Sequence, residues 1–100
     1  MVDNLPFKEL PGESNSLLEI VTRVFKSDID SDELKWHWDD EDRNIIVVGE
    51  TNWKFQFDNE LPINMNTKIK VPKGTWHRLI KGDGDLTLIV EKSIYYEDQS

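Results

Sequence analysis

An all-β fold, an antiparallel sandwich or barrel, is what most of this sequence predicts, and three observations carry it. Apolar and polar residues alternate with a period of two through Leu34–Asp39 and Trp53–Phe57. Short runs rich in Val, Ile, Phe and Trp recur at near-regular spacing. Turn residues separate them: Gly49, Pro62, Pro72-Lys73-Gly74 and Gly82-Asp83-Gly84.

In chain order, residues 1–13 carry Pro6, Pro11 and Gly12 and read as an irregular arm. Ser14–Ser27 fits either a helix or a strand. Leu17, Leu18, Val21, Val24 and Phe25 share a helical face, and Ser16 with Glu19 has the form of a capping box. Ile20-Val21-Thr22 and Val24-Phe25 are strand-forming residues. Asp28–Glu33 reads as a solvated acidic loop. Its Asp28-x-Asp30-x-Asp32 spacing opens like a calcium loop, but Glu33 stands where the turn needs Gly, and Asp39 where a bidentate Glu is needed. Strands are then expected at 34–39, 44–48, 53–57, 67–71, 75–80 and 86–91, with Ile94-Tyr95-Tyr96 as a last edge strand and 97–100 as a tail. Lys81–Asp85 reads as a tight hairpin connection. The 14–96 stretch is therefore expected to form one domain.

Composition narrows the function classes. The chain has 100 residues, enough for one domain with a core of its own. It contains no cysteine, which excludes disulfides, thiolate metal sites and cysteine nucleophiles. Its formal charge of −8 repels phosphate backbones and anionic lipid, so neither nucleic acid nor membrane is an expected partner. No apolar run approaches a membrane span and no secretory signal is visible, so a cytoplasmic location is expected. No serine lies near a histidine in sequence, and no Gly-rich phosphate loop is present. Charge is laid out unevenly. Acids crowd residues 28–42, whereas 61–82 holds Lys68, Lys70, Lys73, Arg78 and Lys81 and no acid. These faces are expected to meet within the fold or across a dimer.

The only histidines are His37 and His77, each in a strand beside tryptophan: Trp36-His37-Trp38 and Trp76-His77-Arg78. Strand parity points Lys35, His37 and Asp39 the same way, and Asp42 follows within a short turn. Two imidazoles and one carboxylate make the set that holds non-haem Fe(II), and Mn, Ni or Zn also suit it.

Pro72-Lys73-Gly74-Thr75-Trp76-His77 resembles the second motif of the cupin family, whose core is Pro-x-Gly-x-x-His. The first cupin motif is His-x-His, then Glu, then six residues and Gly. Counted back from Gly49, Asp42 falls at the Glu place, His37 at the second His place and Lys35 at the first. The resemblance covers residues 33–92 and implies a small cupin-type jelly-roll β-barrel with a central pocket. In metal-bearing cupins the motif residues are the ligands. Here Lys35 offers a metal no lone pair while protonated, and Asp42 is one methylene shorter than Glu. Asn66 and Lys81 stand where the second motif has Gly and Asn.

Two arrangements follow. In one, His37, Asp42 and His77 hold a divalent ion and Lys35 swings aside or pairs with Asp39. In the other, the Lys35 ammonium replaces the ion and pairs with Asp42. The expected pocket is Lys35, His37, Asp42, Thr75 and His77, taking a small polar or anionic ligand. A metal-dependent oxygenase or isomerase is the alternative, and an interaction protein using the acidic 28–42 face is a third. Trp53, Phe55 and Phe57 are expected in the core. Trp36 and Trp38 then point outward, to be covered by 14–27 or by a second subunit. Since cupin barrels commonly dimerise, the resemblance implies a homodimer through these two tryptophans.

Overall fold

The computed structural model describes residues 5–93 and contains eight strands, β1 to β8, and one short 3-10 turn. The strands form two antiparallel sheets. In the larger, β1 (Lys8–Ser14), β2 (Leu18–Phe25), β8 (Leu86–Ser93), β3 (Arg43–Val47) and β6 (Ile69–Val71) lie in the order β1-β2-β8-β3-β6. In the smaller, β5 (Ile63–Asn64), β4 (Lys54–Phe57) and β7 (His77–Ile80) lie in the order β5-β4-β7. The sheets face each other as a jelly-roll barrel, with the core between them. Among the described residues, no helix is long and apolar enough to cross a membrane.

Alternation decides what faces inward. Along β8, Leu86, Leu88 and Val90 are buried while Thr87, Ile89 and Glu91 are only partly covered. Ser14–Ser27 takes the strand alternative: the stripe that suits a helix is split, with Val21 and Phe25 in the core and Leu18 and Val24 on the opposite face. Asn15 makes the preceding turn, its side-chain oxygen accepting from the backbone N–H of Leu17 and Leu18 at 2.7 and 2.9 Å.

Residues 8–13, expected as part of an irregular arm, instead belong to β1. Pro11 and Gly12 are tolerated because β1 is an edge strand and its register shifts between Pro11 and Ser14. The expected strand at 34–39 reduces to a single bridge at His37, preceded by the 3-10 turn Ser31–Glu33. The expected edge strand Ile94-Tyr95-Tyr96, the 97–100 tail and residues 1–4 of the arm lie outside the described residues.

Lys81–Asp85 is not a hairpin. It carries the chain from β7 in one sheet to β8 in the other. Asn52 organises this corner: its side chain accepts from Asp83 N–H at 2.8 Å and donates to Asp83 Oδ2 at 3.0 Å. A Cβ at Gly82 would stand 2.3 Å from Asn52 Oδ1 and 2.7 Å from Trp53 N, so only glycine fits.

Asp85, at the end of this corner, accepts from Ser27 N–H at 2.6 Å and meets Lys26 Nζ at 3.2 Å, tying the end of β2 to the start of β8. The Ser27 amide first, and then Lys26, hold its carboxyl below the ordinary value. A depressed carboxylate stabilises the fold above the unfolded-state value, about 3.9, and loses that contribution as pH falls through its folded value. Asp85→Asn is therefore expected to lower Tm at neutral pH, with the difference from wild type closing as Tm is measured toward and below pH 4.

Candidate functional site

His37 and His77 are brought together by the backbone. They form an antiparallel bridge in which each amide donates to the other's carbonyl, at 3.0 and 2.9 Å. Residues directly opposite in such a pair project to the same face, so the imidazole centroids lie 4.3 Å apart. His77 is 4 % exposed, and its ring stacks on Phe55 with centroids 5.3 Å apart. His37 lies at the open side.

Both rings use the same nitrogen in the same way. Nδ1 of His37 donates to the Lys35 carbonyl at 3.1 Å, and Nδ1 of His77 to the Thr75 carbonyl at 2.7 Å. A carbonyl only accepts, so Nδ1 carries a proton in each ring, and a neutral ring then presents its lone pair at Nε2. Burial, joined by the neighbouring His77 and Arg43, holds His37 below its ordinary 6.5, against the opposite pull of the Lys35 carbonyl and Asp39.

The carboxylate beside the imidazoles is Asp39. Its Oδ2 lies 3.3 Å from His77 Nε2, and its Oδ1 lies 3.3 Å from an Arg43 amine. Burial raises the Asp39 carboxyl, but His77, Arg43 and His37 together outweigh it and hold the group below the usual range. Oδ2 is buried and has no hydrogen-bond partner among the described residues, with His77 Nε2 3.3 Å away. A proton on that nitrogen, or a cation between the two atoms, would satisfy it.

Asp42 does not join this group. Inward residues of β3 are the odd ones, Arg43 and Ile45, so Asp42 turns away and accepts from Lys73 N–H at 2.8 Å. Counting back from Gly49 misplaces the motif for that reason. The positions that converge are His37, Asp39, Arg43 and His77. Asp39 shares strand parity with His37, the signal that locates it in the sequence. Arg43 is the residue sequence reading missed, its signal being the alternation of Arg43-Asn44-Ile45. Thr75 contributes its carbonyl rather than a pocket wall. Lys35 lines the pocket but pairs with neither Asp39 nor Asp42. The ion pair anticipated for Lys35 and Asp42 exists between Arg43 and Asp39, with Glu41 accepting from the same guanidinium at 2.7 and 2.8 Å.

These groups open onto a cavity of about 330 Å³ between the sheets. Phe25, Ile45, Phe55, Leu79, Leu88 and Val90 form its apolar walls. Pro6, Phe7, Glu33 and Lys35 also line it, and so does Arg23 of β2. Glu9 accepts from Arg23 Nε at 2.7 Å, and the guanidinium carbon lies 4.2 Å over the Phe7 ring. Among the described residues no protein acceptor meets Arg23 Nη1 or Nη2.

A ring nitrogen of His37, a ring nitrogen of His77 and a carboxylate oxygen of Asp39 lie within 4.8 Å of one another. Metal–ligand bonds of about 2.0–2.2 Å set neighbouring donors about 3.0–3.5 Å apart. The 3.3 Å edge between His77 and Asp39 already has that length, and the orphaned Oδ2 gives it a role. The donor set thus fits a divalent ion, with Arg43 as a competing cation on the same carboxylate.

No family profile and no curated protein sequence matches the chain. Its fold is matched by solved structures. KdgF from Halomonas sp. superposes with a TM-score of 0.72 at 14% identity, covering 98% of this chain and 89% of that one. An RmlC-like cupin from Shewanella frigidimarina gives 0.71 at 18% identity, over 95% and 82% of the two chains. An RmlC-like cupin with a double-stranded β-helix fold from Methanocaldococcus jannaschii gives 0.67 at 12% identity, over 91% and 83%.

Proposed function

Since this chain folds as a small single-domain cupin barrel, we propose that it binds a small anionic molecule, of the carboxylate type, in the cavity between its sheets. The observation that carries the reading is Arg23. Its guanidinium is fixed by Glu9 and Phe7, yet among the described residues both terminal nitrogens are left without a protein acceptor in a cavity wall. A planar fork held in that way suits a bidentate anion. Lys35 adds a second cation at the rim, and the apolar walls suit a hydrocarbon body. The cavity lies at the small end of ligand pockets, which run from about 300 Å³ upward. His37 Nε2 stands ready to accept a hydrogen bond or a proton from the bound molecule.

Titration of the protein with a panel of small carboxylates, followed by calorimetry and amide shifts, tests this. A charge-assisted hydrogen bond is worth about 1.5–3 kcal/mol, so Arg23→Gln is expected to weaken binding roughly 10- to 150-fold. Equal affinity in wild type and Arg23→Gln, or shifts mapping outside the cavity, would overturn the assignment.

The orphaned Asp39 Oδ2 favours a second reading, a metal-dependent cupin enzyme. A divalent Fe, Mn, Ni or Zn ion would be held by His37, Asp39 and His77 and would supply a Lewis-acid centre at the cavity end. The Lys35 and Thr75 carbonyls orient the two rings, as donor-fixing partners do. Elemental analysis after loading checks it: one ion per chain is expected, lost in both His37→Ala and His77→Ala.

A further inference from the structure

Asp39, Glu41 and Arg43 alternate along the turn into β3, and the guanidinium of Arg43 joins the two carboxylates. Its contacts are unequal. Nε and Nη2 lie 2.8 and 2.7 Å from one oxygen, Oε2 of Glu41, whereas Nη1 stands 3.3 Å from Asp39 Oδ1. Charge-assisted N–H···O bonds run about 2.7–2.9 Å, so the Glu41 pair is fully formed and the Asp39 contact is a loose one. The ladder neighbours of Arg43, Lys92 on β8 and Val71 on β6, bring no counter-charge. Among the described residues, Asp39 and Glu41 are the only carboxylates paired with it.

The two carboxylates differ in what else they face. Asp39 belongs to the donor group and turns Oδ2 toward His77 Nε2. Glu41 stands outside that group, with a quarter of its side chain in solvent.

We infer that Glu41 sets the metal affinity of the His37–Asp39–His77 group by holding the Arg43 guanidinium back from Asp39, an inference that rests on the metal-binding reading of those three residues. With both imidazoles neutral, Asp39, Arg43 and Glu41 sum to one negative charge. Without the charge on Glu41 the sum is zero, and the guanidinium is free to close on Asp39. A divalent ion would then meet a neutralised carboxylate and an unscreened cation beside it, in a half-buried setting where water screens little. Without Arg43 as well, the negative charge returns, now on the coordinating carboxylate itself. Glu41 is thus a positioning residue: it touches no ion and acts through Arg43.

Titration of the full chain with Zn(II) by calorimetry tests this, with the Tm of each apo and loaded chain as a second readout. Glu41→Gln keeps the side-chain volume and a carbonyl acceptor for Arg43, and loses the charge. It is expected to weaken Zn(II) binding by at least about tenfold and to shrink the gain in Tm on loading. Glu41→Gln combined with Arg43→Gln is expected to bind as tightly as wild type or tighter. A merely structural role for Glu41 predicts the reverse, because the second change would add to the first. Circular dichroism of the apo chains checks that the fold is kept, and the Glu41→Gln titration decides alone if the double variant does not fold. Unchanged affinity in Glu41→Gln, or a folded double variant that binds no better than Glu41→Gln, would overturn the inference and leave the metal reading standing. Failure of the wild type and both variants to bind the ion would overturn the two together.

Discussion

Trp53→Ala is expected to cost about 3–5 kcal/mol, lowering Tm by roughly 12–40 °C for a domain of this size. Trp53 has 0 % of its surface exposed, and its ring lies 6.0 Å from Phe25 across the core. Its indole N–H donates to the Gly84 carbonyl at 3.0 Å, so the residue joins the core to the corner between β7 and β8. Alanine would leave a large void and an unpaired carbonyl. Domains of this kind hold a total stability of only about 5–15 kcal/mol, so partial unfolding at 37 °C is within reach of this one change. Trp76→Ala is the control, since Trp76 is 47 % exposed and a monomer should lose little. Equal Tm losses for the two, by calorimetry in dilute solution, would contradict this account of the core.

Asp39→Ala is the second large effect. The Asp39 side chain is 8% exposed and that of Arg43 14%. Removing one member of a buried pair costs about 3–5 kcal/mol, because the other charge is left behind. Glu41 still accepts from Arg43, so the lower half of that range is expected here. The sign with pH follows from the carboxyl's depressed value. The stabilisation is present above the unfolded-state value near 3.9 and fades as pH drops through the lower folded one. Denaturant unfolding of wild type and Asp39→Ala should therefore differ most at neutral pH and converge in acid. Asp42→Ala, which loses only a contact to the Lys73 amide, should leave the histidine pair and cavity unaltered.

The contrast between Asp39 and Asp42 shows where the sequence was legible. Alternation identified the strands because a half-buried sheet imposes a period of two, and Leu86, Leu88 and Val90 obey it. It also set Asp39 on the face of His37. Motif counting, by contrast, assumes that the residues between the second histidine and Gly49 keep a fixed path. The turn before β3 breaks that assumption, and the count lands on Asp42, which faces away. Arg43 went unrecognised because an arginine at the start of an apolar run reads as a solvated strand end. Its burial depends on Glu41 and Asp39, partners visible only in three dimensions. The 14–27 segment was ambiguous for a related reason. Its apolar residues satisfy both periods, and only pairing with β8 selects the strand. The Lys81–Asp85 corner had turn chemistry suited to a hairpin. Which sheet the following strand joins is a long-range choice that local residues do not encode.

The place of β8 has a consequence for the order of events in folding. β8 lies between β2 and β3, pairing Leu18 with Ser93 on one side and Arg43 with Lys92 on the other. The larger sheet therefore has no middle until β8 is made. A chain emerging from the ribosome holds β1 and β2 as a lone hairpin, which is marginal in water, and β3 with β6 as a separate two-stranded pair closed across β4 and β5. Loop closure over some seventy residues precedes any gain from their union, a topology that folds slowly and late. Nascent chains stopped before residue 86 should remain protease-sensitive however long they wait, and protection should arrive in one step once β8 clears the exit tunnel.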